Sequence, residues 1–120
     1  MSRTLVSRWS PGTPAIARES EPWVSSGILT ASTVIKAAGG LLGGVLVTAT
    51  DNGGDIDVVV WDSPTATTTD DEYLARITVV TTTANAQASF VAPSSCGVQA
   101  TLGIYVEVVA GHPQVIVYYK

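Results

Sequence analysis

Residues 42–62 read LGGVLVTATDNGGDIDVVVWD, two runs of strand-forming residues on either side of a cluster of Asp, Asn and Gly. Branched side chains such as Val and Thr are enriched in β-strands because they pack well on a pleated surface. In the second run, Ile56, Val58 and Val60 alternate with other residues, so they share one face and are the predicted core. Asn52-Gly53 between apolar runs is the strongest short signal for a hairpin, since both residues tolerate positive φ. The stretch therefore predicts two strands joined by a tight turn.

Similar strand patterns continue along the chain from Ser25, and no segment has the period of an amphipathic helix. Without helices to make crossovers, a parallel α/β architecture is excluded. The pattern predicts an all-β fold, an antiparallel β-sandwich or jelly roll of about seven or eight strands. The predicted strands are 27–30, 33–36, 42–50, 55–62, 73–81, 86–91, 98–109 with a break near Gly103, and 114–119.

Composition limits the classes of partner. The net charge of −4 argues against nucleic acid, since phosphate binding requires clustered Lys and Arg. The most apolar window, residues 37–49, is too short to cross a bilayer, so no membrane partner is expected. The N-terminus lacks the apolar run of a secretory signal, and we expect the chain to be made and folded in the cytoplasm. Charged residues make up only 13% of the chain, half the globular average of about 25%, which favours an assembled state that covers part of the surface.

Residues 1–24 differ from the rest and are predicted to form an extended N-terminal arm, followed by a β-sandwich domain at 25–120. The segment holds three prolines and no strand or helix period. It carries a charge near +1 on a body near −5, and it contains two tryptophans that favour docking on a partner. The alternative is that one tryptophan packs back on its own domain. The predicted partner contacts are Arg3, Arg8, Trp9, Arg18 and Trp23.

Several predicted strands are apolar on both faces, whereas the outer face of an isolated sandwich should be polar. Val59 and Trp61 lie opposite the predicted core residues of their strand, and Ile116 and Tyr118 oppose Val115 and Val117 in QVIVYY. We therefore expect a homo-oligomer, with a subunit interface that includes Val59, Trp61, Ile116 and Tyr118.

The aspartates near the turn raise the possibility of a calcium site. Counted from Asp51, an EF-hand loop would require an oxygen ligand at its third position and glycine at its sixth. The chain has Gly53 and Ile56 at those positions, so the pattern fails. A turn is the preferred interpretation, and a loose site of Asp51, Asp55 and Asp57 is the alternative.

No other motif indicates a catalytic, cofactor or metal site. GGLLGG at 39–44 lacks the Lys-Ser or Lys-Thr of a phosphate loop, and glycine turns explain it. The single cysteine, Cys96, forbids an internal disulfide, and a nucleophile–base pair with the lone His112 lacks an orienting third group. The acids of DDEY at 70–73 are typical of a solvated loop.

The order of motifs resembles small β-sandwich proteins encoded among the virion genes of tailed bacteriophages. The run VIKAAGGLLGGVLVTAT, a glycine turn and DVVVWDSPTA match their pattern, as do the ITV strand at 77–79, the F-x-x-P turn at 90–93 and VIVYY at 115–119. The resemblance covers roughly residues 27–120 and leaves the N-terminal arm outside it.

The resemblance implies a structural role on the virion, as a capsid decoration (cement) protein that binds the major capsid protein. Such proteins commonly form trimers at local three-fold positions and use an arm to clamp the shell. An alternative is a head- or tail-fibre module that recognises a host-surface carbohydrate or protein, in which Trp61 with Asp62, or Tyr118 with Tyr119, would contact a sugar. A hydrolase using Cys96 and His112, or acids near Asp70, is the third and remotest hypothesis.

Overall fold

The computed structural model describes residues 22–51, 54–68, 72–80, 86–93 and 96–120. Within these ranges the chain forms strands and no helix, so nothing there has the length and hydrophobicity of a membrane-crossing helix. The strands are β1 (Val24–Ser25), β2 (Thr33–Lys36), β3 (Gly40–Ala49), β4 (Ile56–Trp61), β5 (Tyr73–Val79), β6 (Gln87–Val91), β7 (Val98–Ala100), β8 (Ile104–Ala110) and β9 (Pro113–Tyr119).

The strands form two antiparallel sheets, as the all-β prediction requires. The first sheet has the order β1-β9-β3-β6, and the short β7 pairs with the part of β3 that precedes the β6 contact. The second sheet has the order β2-β8-β4-β5. Consecutive strands therefore often lie in opposite sheets, and each sheet is assembled from distant parts of the chain.

The core lies between the two sheets and consists almost entirely of aliphatic side chains. Alternation places every second residue of the central strands inward, and the predicted core residues Ile56, Val58 and Val60 are confirmed as buried. Burial of each such side chain contributes about 1.5–3 kcal/mol relative to leaving it in water. Their buried partners are Leu42, Val45 and Val47 of β3, Ile77 and Val79 of β5, Ile104 and Val106 of β8, and Val115 and Val117 of β9.

A β-bulge at Gly43 interrupts the alternation of β3. Leu42 pairs with Tyr119 and Gly44 pairs with Tyr118, so Gly43 is an extra residue without a partner in β9. The extra residue lets both Leu42 and Val45 point into the core, although they are three positions apart. The bulge therefore explains one of the glycines of the GGLLGG segment.

Two strand predictions are wrong in detail. The predicted strand 27–30 contributes only a single bridge, between Leu29 and Val115. The predicted hairpin around Asn52-Gly53 is not formed, because β3 and β4 lie in different sheets. Each of these strands already has neighbours on both sides within its own sheet, so the connection crosses the sandwich; Asn52 and Gly53 themselves lie outside the described residues.

The break predicted near Gly103 is confirmed, since β7 ends at Ala100 and β8 begins at Ile104. Gly103 is required there by close packing rather than by its backbone angles. A Cβ at this position would lie 2.6 Å from the carbonyl oxygen of Ser63 and 2.7 Å from that of Lys36. The corner therefore brings β8 into the second sheet against two other backbone segments.

Candidate docking face on the first sheet

The outer face of the first sheet carries a row of apolar side chains with a gap in the middle. Gly44 pairs with Tyr118 of β9 on one side and with Val91 of β6 on the other. Residues directly opposite one another point to the same face, so Tyr118 and Val91 flank a position that has no side chain. Tyr118 is 43% exposed and Val91 is 77% exposed. The result is a groove with a glycine floor and apolar walls.

The next row along the strands closes one end of this groove. Leu46 lies two residues beyond Gly44 and pairs with Ile116 and Ser89. Leu46 and Ile116 are half-buried, so the apolar surface continues past the groove. We call the surface formed by Trp23, Leu46, Val91, Ile116 and Tyr118 the apolar face.

Trp23 closes the other end, and glycines hold its indole in place. A Cβ on Gly43 would lie 2.8 Å from Cε3 of this ring, and a Cβ on Gly97 would lie 2.8 Å from Cη2. Only residues without side chains permit this contact, and Gly97 also has a φ of +85° that favours glycine. The ammonium group of Lys120 lies 4.6 Å from the centre of the indole, in cation–π geometry. Trp23 is still 38% exposed toward the groove.

The groove has a volume of about 320 Å³, enough for one large aromatic side chain. Ser89 is the one residue with a polar side-chain group along its strand walls, apart from the Tyr118 hydroxyl. A cavity of this kind favours an apolar or aromatic group over an ion, because a charge would lose its hydration without gaining a partner.

The centre of the outer face of the second sheet, around Val59, is covered by polar side chains. Val59 pairs with Arg76 on one side and with Glu107 on the other. Arg76 donates from Nε and Nη2 to the carboxylate of Asp57, and the shorter of these contacts is 2.6 Å. The Trp61 indole donates to Oε1 of Glu107 at 3.0 Å. These long side chains cover Val59, which is only 5% exposed.

The ion pair on this face changes the acidity of its members. The hydrogen bonds from the Arg76 guanidinium hold the pKa of the Asp57 carboxyl below its ordinary value, and burial opposes this only in part. The same contact raises the pKa of the guanidinium. Asp57 is therefore engaged in a pair on the sheet surface and is not available as a calcium ligand in its present geometry.

The aromatic–acid pair Trp61-Asp62 has structural partners. The ring of Trp61 meets that of Tyr73 edge to face, with 6.0 Å between centres. The carboxylate of Asp62 accepts backbone N–H groups from Thr101 at 3.1 Å, Leu102 at 2.8 Å and Gly103 at 3.3 Å. The polar atoms that would have recognised a sugar at this position are thus occupied within the chain.

The other acids of the Asp-rich stretch also find separate positions. Oδ2 of Asp51 lies 3.1 Å from Nδ1 of His112, and Asp57 pairs with Arg76 on the neighbouring strand of the second sheet. Among the described residues no group of three or more His, Cys, Asp or Glu side chains could hold a metal ion. The loose calcium site is therefore not formed by the described acids.

Cys96 and His112 lie at opposite ends of the first sheet. Cys96 is two residues before Val98, which pairs with Leu42, whereas His112 precedes Pro113, which pairs with Ala49. The seven residue-to-residue steps of β3 from Leu42 to Ala49 span about 23 Å at about 3.3 Å each. The two side chains are too far apart to act as a nucleophile and its base.

The structure separates the residues predicted for contacts. Ile116 and Tyr118 lie on the apolar face, whereas Val59 and Trp61 lie on the second sheet, where Val59 offers little surface to another chain. Trp23 packs on its own domain, and Arg3, Arg8, Trp9 and Arg18 lie outside the described residues. Sequence reasoning missed Leu46 and Val91, although the alternation of Leu46 with Val45 and Val47 would have placed it outward.

The fold defines the chain as an all-β protein of the sandwich class. No family model, no curated protein and no solved structure matches it. Its function is therefore argued from the apolar face and from the resemblance of its motifs.

Proposed function

We propose that the chain is a structural virion protein, a bacteriophage capsid decoration (cement) protein that binds and stabilises the shell of the major capsid protein. The observation that carries the proposal is the apolar face of the first sheet, where Tyr118 and Val91 flank a groove with a glycine floor. Val59, at the centre of the second sheet, is covered by polar side chains instead. Exposed apolar surface bordered by polar residues marks a site of protein contact.

The strand order supports the jelly-roll form of the sandwich. β1 pairs with β9, β2 with β8, β3 with β6 and β7, and β4 with β5, so the two halves of the chain pair from their ends inward. A paired ribbon of this kind, rolled into two sheets, is typical of a jelly roll; here the first sheet has five strands because β6 and β7 both pair with β3, and the second has four. Jelly rolls recur in viral capsid and lectin domains, which supports a virion role.

The position of the N-terminal segment supports the same role. The segment joins the domain at Pro22, next to Trp23, so the preceding chain enters beside one end of the groove. A protein that clamps a shell requires a broad contact, since stable interfaces bury about 1,600 Å² in total. We assign the apolar face to this shell contact, in place of the subunit interface that the sequence predicted for Ile116 and Tyr118. The trimer implied by the resemblance stays a prediction.

Binding to shells tests the proposal directly. The purified chain is sedimented with assembled shells of the major capsid protein from the same genome, and its bound amount is measured. Tyr118→Glu places a charge on the apolar face, whereas the matched control Tyr73→Glu places one on the second sheet, where Tyr73 is 61% exposed. We expect Tyr118→Glu to abolish co-sedimentation and Tyr73→Glu to retain it. Equal binding by both variants would contradict the assignment of the face, and no binding by the wild-type chain would contradict the function.

The second candidate function is a fibre-type binding module for a host-surface carbohydrate. The aromatic rings of Trp23 and Tyr118 border the groove, and aromatic rings with a polar tip stack on sugars. A glycan array with the purified chain separates the two functions. Binding to a glycan, lost in Tyr118→Glu and accompanied by no binding to shells, would favour the module.

A further inference from the structure

The groove beside Trp23 has the shape of a second site for an indole. Trp23 already shows how this sheet accepts such a ring, since it packs on the bare backbone of Gly43 and Gly97. Gly44, the next residue, forms the floor of the groove in the same way, with Tyr118 and Val91 as walls. An indole placed there would bury apolar area against the floor and both walls, and Trp and Tyr bury about 150–250 Å² each.

The chain itself supplies a candidate occupant at short range. Residues 1–21 lie outside the described part of the chain and join it at Pro22, directly beside the groove. Trp9 precedes Trp23 by fourteen residues. Fourteen residues of random-coil chain have a root-mean-square span of about 20 Å, so the linking chain is long enough for Trp9 to reach the groove. A tether of this kind gives an effective concentration in the millimolar range.

We propose that Trp9 binds in the groove between Tyr118 and Val91 of its own chain. The tether favours this occupant over Trp9 of a second copy, because a free copy at micromolar concentration is about a thousandfold more dilute. In the bound form Trp9 covers the most exposed part of the apolar face. The segment around Arg8 and Trp9 is then held against the domain, and it leaves the groove when another protein binds the face.

Binding of Trp9 in the groove does not depend on the virion role. Trypsin digestion of the full chain, without any partner, tests this binding. Trypsin cleaves after Arg8, immediately before Trp9, and after Arg3, which serves as an internal reference. A groove that is occupied nine-tenths of the time slows cleavage after Arg8 about tenfold, because cleavage follows the population of the open form. Fragment masses measured over time give the ratio of the two rates.

Two glutamate variants separate the groove from general charge effects. Val91→Glu puts a carboxylate in the groove wall, and Val80→Glu puts one at a comparably exposed valine (73%) at the end of β5. We expect Val91→Glu to raise the rate of cleavage after Arg8 about tenfold relative to Arg3. Val80→Glu should leave the ratio unchanged. Equal ratios in the wild type and Val91→Glu would overturn the proposal.

Dilution and fluorescence complete the test. Protection that is constant from about 100 µM to about 1 µM supports binding within one chain, whereas protection lost on dilution would overturn it in favour of a second copy.

The difference between the emission spectra of the wild type and Trp9→Phe reports the surroundings of Trp9 without any change in the groove. A blue-shifted difference spectrum supports a bound indole, whereas the spectrum of a fully hydrated indole would overturn the proposal. This measurement decides the question even if Val91→Glu fails to fold. Co-sedimentation with shells plays no part in these measurements, so the two proposals fail separately.

Discussion

Removal of the Asp62 carboxylate should destabilise the domain strongly, although the residue lies at the surface end of β4. Its two oxygens accept three backbone N–H groups, from Thr101, Leu102 and Gly103. A hydrogen bond to a charged group contributes about 1.5–3 kcal/mol net, and an unsatisfied buried donor costs about 1–3 kcal/mol.

The exposure of the three N–H donors sets how much free energy of unfolding is lost when the carboxylate is removed. Thr101 and Leu102 are exposed, so water replaces the carboxylate at their N–H groups and each bond contributes about 1 kcal/mol or less. Gly103 is buried, and its N–H would lose the acceptor at 3.3 Å without access to water. For Asp62→Ala we therefore expect a loss of about 3 kcal/mol in the free energy of unfolding. Asp62→Asn keeps one oxygen and should lose about half of that.

Urea unfolding followed by circular dichroism measures the effect. With a slope of about 2 kcal/mol/M, the midpoint of Asp62→Ala should fall by about 1.5 M while the slope stays unchanged. The control is Asp55→Ala, since Asp55 is an exposed acid close to the start of the same strand, and it should stay within about 0.5 kcal/mol of the wild type. A loss for Asp62→Ala that is no larger than the loss for Asp55→Ala would refute the structural role of the carboxylate.

Four further substitutions, one of them a control, test the packing and the ion pair by the same urea assay. Gly103→Ala should lower the free energy of unfolding by about 3 kcal/mol, because its Cβ meets two backbone carbonyls. Its control, Gly27→Ala, has a φ of +73° and open space around it and should lower it by about 1 kcal/mol. Equal losses would contradict the packing argument. Leu42→Ala should cost about 2–5 kcal/mol because Leu42 is fully buried, and a loss below about 1 kcal/mol would show that the bulge does not place it in the core. Asp57 has a lowered pKa in the folded state, so its contribution to stability should be complete above its ordinary value of 3.8 and should be lost as the pH falls below that value. Asp57→Asn should remove this loss of stability below about pH 3.8, and an unchanged acid profile would contradict the ion pair with Arg76.

Local patterns in the sequence predicted most of the strands but not their partners. The alternation of Ile56, Val58 and Val60 depends only on the geometry of one strand, so it could be recognised without the rest of the chain. Pairing depends on distant residues. The Asn52-Gly53 signal is local and favours a hairpin, but β3 and β4 each have two better-placed neighbours, and the core between the sheets decides the topology.

The candidate site was predicted only in part for the same reason. The apolar outer positions Ile116 and Tyr118 followed from alternation along β9. The groove depends on Gly44 lying between Tyr118 and Val91, which are distant in sequence, and no local pattern contains that information. The covering of Val59 by Arg76 and Glu107 has the same origin, since these side chains belong to two other strands.

The order of strands in the sheets has a consequence for synthesis on the ribosome. β8 and β9 are the last strands of the chain, yet each lies in the interior of its sheet, between β2 and β4 and between β1 and β3 respectively. Until residues 104–119 emerge, the apolar strands β3 and β4 each lack one neighbour and expose an unpaired edge. Neither sheet can be completed before β8 and β9 have been synthesised, so the nascent chain is exposed to aggregation up to that point. A chain shortened within β9 should therefore be lost to aggregation or degradation rather than accumulate as a partly folded domain.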